Sequence, residues 1–205
     1  MATISQRTTT TDAGAARERH LPGEEGTWVF ILGDMTVFAV FFATYLYYRG
    51  QQRALFVESQ HSLVQGYGVI NTLLLLTSSL CVVLGMKSVR GRLAGAPTRA
   101  APWLFGGALA CGLGFSAMKF LEYGEKLAAG ITPATNDFFM YYFILTGLHF
   151  FHLILGMGVL LFLIRVGRRT SMSTRQFAFV EGGACFWHMV DLLWIVLFPL
   201  LYLVK

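Results

Sequence analysis

His149 and His152 stand three residues apart in a long apolar run, and a later apolar run carries Glu181, His188 and Asp191. Two further acids, Asp34 and Glu122, sit in or beside other apolar stretches. Imidazoles and carboxyls are the side chains that hold and pass protons near neutral pH, and imidazoles also ligate metals. On a helix, His149 and His152 share a face. At about 100° per residue, Glu181 and His188 nearly eclipse one another and Asp191 lies roughly 60° away. An acid at bilayer depth costs about 2.5–3.5 kcal/mol by insertion measurements, so these groups are expected to face protein and not lipid. Two roles fit a buried polar cluster of this kind. It can be a proton-linked hydrogen-bonded network, or it can be polar glue that fixes the register of packed helices.

Imidazoles from two facing helices could ligate one b-type haem axially or form part of a zinc or copper site. Three membrane histidines cannot furnish two haems and a copper centre together. The simpler reading of an i, i+3 pair is hydrogen bonding to neighbours, so no bound metal is expected. The sequence contains no CxxC, no Gly-rich phosphate loop and no Ser/His/Asp set. Cys81, Cys111 and Cys185 lie singly in apolar runs and read as small buried hydrophobes. No self-sufficient active site and no catalytic residue is therefore expected in this chain.

The elements that must position these groups are membrane helices. The chain has 205 residues, is 55% hydrophobic and only 13% charged, and contains 18 Phe; its mean hydropathy is +0.58. That composition fits an all-α integral membrane bundle. Five runs approach the roughly 20 residues that cross about 30 Å of hydrocarbon. They cover about 28–48, 67–88, 101–121, 138–165 and 177–203, forming one domain over 27–205. Residues 1–26 are polar and Thr-rich, lack an apolar core of signal-peptide length, and read as a disordered tail.

Small and polar residues at helical spacing mark packing faces. Asn71, Ser78 and Gly85 recur every seven residues in the second run; Gly106, Ala110 and Gly114 recur every four in the third, as do Ala108, Gly112 and Ser116. Gly156, four residues beyond His152, belongs to the same class in the fourth run. The net charge of +5 does not point to nucleic acid, because the basic residues fall in short connections between apolar runs. Arg7, Arg17, Arg19, the group Lys87 to Arg99 and the group Arg165 to Arg175 share one side. They outnumber Arg49, Arg53, Lys119, Lys126 and Lys205 on the other, which predicts a cytoplasmic N-terminus and an external C-terminus. Lys119, Glu122, Glu125 and Lys126 read as a charged helix end at the interface.

WVFILGDMTVFAVFFATY, INTLLLLTSS, FLEY, TGLHFFHLILGMGVLL and VEGGACFWHMVDLLWIVLFPLLY together resemble subunit III of haem–copper terminal oxidases. The pattern spans Trp28 to Tyr202, and its most specific parts are TGxHxxHxxxG and WHxVDxxW. The resemblance implies the five-helix version found in quinol oxidases, and Gly33-Asp34-Met35 is most similar to the branch associated with nitric oxide reductases. It places the family's buried acid at Asp34, its Glu before Tyr at Glu122, and its helix-pair groups at His149, His152, Glu181, His188 and Asp191. It further implies a subunit without a redox centre of its own, with haems and copper only in the partner catalytic subunit. Phospholipids would be held in a cleft with spans one and two on one wall and spans three to five on the other. Such a subunit supports proton uptake by its partner in a bacterial inner membrane. One departure stands out: Phe150 occupies a position that is small in the family. A haem b anchor for quinol electrons and a proton-conducting membrane protein are the alternative functions.

Overall fold

A computed structural model describes residues 25–95, 100–169 and 172–204; the tail expected over most of 1–26 lies outside them. The elements are α1 (Glu25–Gln51), α2 (Arg53–His61), α3 (Gln65–Leu93), α4 (Ala101–Ala128), α5 (Asp137–Gly167) and α6 (Thr174–Phe198). A π-helical turn, Pro199–Leu203, continues α6. Five helices are long and apolar enough to cross a bilayer, over Gly26–Gln51, Gln65–Leu93, Ala101–Ala128, Asp137–Gly167 and Thr174–Leu203. Among the described residues this is the number of spans expected, and the third helix runs several residues further than its apolar stretch. Short signals set the ends. The Asn136 side chain accepts from Phe139 N–H at 2.9 Å, Ser173 and Gln176 form a capping box, and Gly130 takes the left-handed backbone (φ +75°) that ends α4.

The short helix α2 was not apparent from sequence. Its nine residues mix charge and hydrophobe, and only Phe56, Ser59 and Gln60 are buried. It lies against α5 at the end of the bundle where α6 finishes. There, side chains meet the orphan carbonyls of the last turn. Gln60 Nε2 donates to Leu201 O at 2.8 Å, Gln65 Nε2 to Tyr202 O at 3.1 Å, and Tyr45 Oη to Leu200 O at 3.3 Å.

The helix arrangement departs from the expected two-walled cleft. The second span, α3, lies along the third, α4, in the most extensive contact of the bundle, and it also touches α6. The first span, α1, leans on α5 and α6 instead. Small residues explain the choice. A Cβ at Gly85 would stand 2.7 Å from the Phe105 ring of α4, and Ser78 Oγ donates to Ala108 O across the same interface at 3.0 Å. Asn71, Ser78 and Gly85, the seven-residue stripe of α3, are all buried.

In α4 the packing row is the other one. Ala108, Gly112 and Ser116 are buried, whereas Ala110 is exposed and Gly106 has open space where a Cβ would go. Gly114 touches only the Leu74 side chain. The Gly106/Ala110/Gly114 row therefore does not carry the tight contact, because Phe105 and Phe115 turn the opposite face of α4 into the core. Gly156 does carry one: a Cβ there would lie 2.7 Å from the Trp187 ring of α6.

Candidate functional site

The acids are placed beside partners by three sets of elements: α1 with α5, α4 with the turn after α6, and α3 with α6. On α1 and α5, Asp34 Oδ2 lies 3.1 Å from His152 Nε2. The other ring nitrogen, Nδ1, is 2.8 Å from Leu148 O. A carbonyl only accepts, so Nδ1 carries a hydrogen, and the atom facing Asp34 is Nε2. The ring is fixed edge-on to Phe38, with centroids 5.5 Å apart.

On α4, Glu122 Oε2 and Lys119 Nζ form an ion pair of 2.7 Å with both side chains 2% exposed. Tyr202, from the π-helical turn after α6, closes the triad: its hydroxyl accepts from Lys119 Nζ at 3.0 Å and donates to Glu122 Oε1 at 2.5 Å. The Lys119 ammonium also stands 4.9 Å from the Trp194 ring and 5.4 Å from the Tyr142 ring, inside an aromatic box. Lys119 and Glu122 are thus interior groups and not an interfacial helix end. Lys126, from the same expected helix end, is also largely buried and donates to Ser62 O.

Between α3 and α6, Arg90 Nη2 donates to Glu181 Oε1 at 2.8 Å; the arginine side chain is 59% exposed and the glutamate 8%. Deeper along the same two helices, Ser79 Oγ is 2.7 Å from His188 Nδ1, and Asp191 Oδ2 is 4.0 Å from that nitrogen. His149 is fully buried, its ring 5.7 Å from Phe115 and 5.3 Å from Trp194.

The seven ionisable groups read from sequence therefore do not form one cluster. Spans four and five do pack together, but their polar side chains turn to other helices: His152 to α1, and Glu181 and His188 to α3. The glue is distributed, with an acid and a base at each of four places. Each membrane histidine has a different neighbour, and among the described residues no three His, Cys, Asp or Glu side chains gather as metal ligands would. What the arrangement can do chemically is hold protons and charge inside hydrocarbon.

A profile of cytochrome c oxidase subunit III matches residues 23–205. This chain belongs to that family. Among relatives, this subunit III chain is 31% identical over 179 residues to "Cytochrome c oxidase subunit 3" of Synechocystis, covering 87% of this chain and 74% of that one. It is 31% identical over 185 residues to "Cytochrome bo(3) ubiquinol oxidase subunit 3" of Pseudomonas putida, covering 87% and 84%. A "Heme-copper oxidase subunit I+III" of Aeropyrum pernix is 26% identical over 190 residues, which make up 86% of this chain but 22% of that one.

The family motifs acquire physical content here. In TGxHxxHxxxG, Thr146 bonds Tyr123 at 2.6 Å, His152 meets Asp34, and Gly156 admits Trp187. In WHxVDxxW, the two indole N–H groups donate to α3, Trp187 to Ser78 Oγ and Trp194 to Thr72 Oγ1, each at 3.0 Å. The departure at Phe150 is accommodated on α4, where its ring packs edge-on to Phe120 at 5.4 Å. Sequence reasoning missed Arg90, Ser79 and Tyr202 as site residues. Arg90 looked like a loop charge, and Ser79 and Tyr202 lie far along the chain from their partners. Lys119 was the legible one, since an i, i+3 Lys–Glu pair continuing an apolar run is itself a signal of buried pairing.

Proposed function

We propose that this chain is a non-catalytic accessory subunit of a haem–copper oxidase, seated on the catalytic subunit in a bacterial inner membrane. The observation that carries it is the family match over nearly the whole length, with relatives named as third subunits of both cytochrome c and quinol oxidases. The Aeropyrum relative, whose name joins subunits I and III, supports subunit I as the partner. Haems and copper then belong to that partner, and the membrane histidines serve acid–base pairs and aromatic packing.

The lipid part of the reading is supported by an apolar groove of about 700 Å³ between α1, α5 and α6. Gly158, Gly182, Gly183, Phe30, Phe162 and Phe179 are among the residues that line it. Such a groove is matched to phospholipid acyl chains. Support for proton uptake comes from the acid–base pairs. The orientation proposed is N-terminus cytoplasmic. With Lys119 and Lys126 inside α4, fewer cations remain in the opposite connections, which strengthens the charge asymmetry. A C-terminal alkaline phosphatase fusion is expected to be active; an inactive one reverses the orientation.

Affinity purification of the chain from native membranes tests the accessory role. Co-purification with a haem–copper catalytic subunit, with no Soret band from the chain alone, is the expected result. A Soret band in the isolated chain would replace this reading with a haem b anchor. Turnover of the purified complex with each gas decides whether the partner reduces oxygen or nitric oxide.

A further inference from the structure

Between α3 and α6 lies a pocket of about 240 Å³, lined among others by Lys87, Arg90, Glu181, Cys185 and His188. That volume holds several waters at about 30 Å³ each. Its mouth is charged, and Arg90 and Glu181 bridge it. Inward, His188 lines the pocket with its side chain 35% exposed, while Asp191 next to it is 5% exposed. Ser79 Oγ sits 2.7 Å from His188 Nδ1, and both Asp191 carboxyl oxygens are buried without a hydrogen-bond partner among the described residues. Nδ1 itself is 4.0 Å from Asp191 Oδ2, too far for a direct hydrogen bond. The order inward is partly exposed imidazole, serine hydroxyl, buried acid. This is the order a proton would follow inward.

We infer that this pocket is a proton-exchange inlet in which His188 and the Ser79 hydroxyl load and unload Asp191. A proton taken from pocket water by the exposed part of the ring leaves from Nδ1 to Ser79 Oγ, as the serine hydrogen passes to the Asp191 carboxylate. One proton enters and one carboxylic acid forms, and unloading reverses each transfer. Among the described residues, no other ionisable group is recorded in contact with the inner end. The α1 residues that approach His188 are Trp28, Ile31, Leu32 and Met35, and the α5 imidazoles belong to other contacts. Lys87, Arg90, Glu181 and Cys185 complete the set facing the ring. The inlet ends at Asp191 and serves as a local proton store; it is distinct from the Asp34–His152 pair, and it deepens the proposed support of proton uptake.

The test is infrared difference spectroscopy of the full chain in phospholipid nanodiscs after a pH jump. A protonated-carboxyl band absent from Asp191→Asn but present in Asp34→Asn is expected. Transfer into D2O should shift that band within the mixing time. Val83→Trp fills the pocket from its rim, where Val83 is 38% exposed. It should slow the shift at least tenfold while leaving the band's amplitude unchanged. Ser79→Ala, which removes one hydroxyl from a half-buried site, should also slow it about tenfold. If no band is lost in Asp191→Asn, or if wild type exchanges as slowly as Val83→Trp, the inlet does not exist. Unchanged exchange in Ser79→Ala overturns the relay even where Asp191→Asn does not fold. None of these outcomes bears on co-purification with a catalytic subunit, so the two readings fail separately.

Discussion

The α3–α4–α5–α6 core and the α1 helix are built differently. In the core, glycines at 85, 112 and 156 admit aromatic rings, and two tryptophans donate hydrogen bonds to α3 hydroxyls. Its ion pair, Lys119–Glu122, is closed off from both water and lipid. Along α1 the contacts are sparse. One groove runs between it and α5 and α6, and a second of about 380 Å³, lined by Trp28, Ile31, Met35 and Leu192 among others, lies between it and α6. Its acid, Asp34, keeps a side chain 20% exposed. Without a hydrophobic force between helices in lipid, close association depends on small residues and polar contacts. The core has both and α1 has few, so the core sets the fold while α1 leaves surface for acyl chains and a partner.

The comparison breaks first at Glu122. Glu122→Ala leaves the Lys119 ammonium buried without its carboxylate, and losing one partner of a buried pair costs about 3–5 kcal/mol. Equilibrium unfolding in mixed micelles should register that loss. Glu181→Ala, whose partner Arg90 is largely exposed, should cost under about 1 kcal/mol. The double substitution Lys119→Met with Glu122→Gln should recover most of the stability, because no unpaired charge remains. Equal losses at Glu122 and Glu181 would erase the difference between a sealed pair and an open one.

Packing gives the next largest effect. Gly156→Val places methyl groups against a Trp187 ring already at contact, and overpacking of this kind costs about 1–3 kcal/mol. Gly106→Ala, on the open face of α4, should be neutral or gain up to about 1 kcal/mol from helix propensity. Melting temperatures of the two variants in one detergent measure the contrast. A destabilising Gly106→Ala would restore the Gly106/Ala110/Gly114 row as a packing face.

Much of this was legible in the residues. Five apolar runs announce five spans, and the acids and imidazoles announce polar contacts, because hydrocarbon offers such groups no other partner. The identity of those partners was not legible: Ser79 and His188 are separated by 109 positions, and nothing local links them. Nor was the choice between the two small-residue rows of α4, since both satisfy the four-residue spacing and only the bulky Phe105 and Phe115 decide which face turns inward. The wall of spans one and two failed for the same reason. Adjacency in sequence does not fix adjacency in the bundle, and the stripe Asn71, Ser78 and Gly85 found its complement on α4. The helix α2 escaped because nine residues of mixed polarity carry too little periodicity to stand out.

The smallest effect is expected at Asp34, on the loosely held helix. Asp34→Asn replaces the carboxyl with an amide that can still donate to His152 Nε2, while Nδ1 continues to donate to Leu148 O. The amide has the size and shape of the carboxyl and keeps the contact, so stability should change by less than about 1 kcal/mol. Asp34→Ala instead strands Nε2, and a stranded buried polar atom costs about 1–3 kcal/mol; partial exposure of the site places the expected loss at the low end. Nitrogen-15 spectra of the His152 ring separate the cases further. In Asp34→Asn the neutral ring should be the tautomer protonated at Nδ1, which donates to Leu148 O. A neutral ring with its hydrogen on Nε2 in that variant would mean that the Leu148 carbonyl does not fix the ring. The assignment of Nδ1 as the hydrogen-bearing atom would then lose its basis.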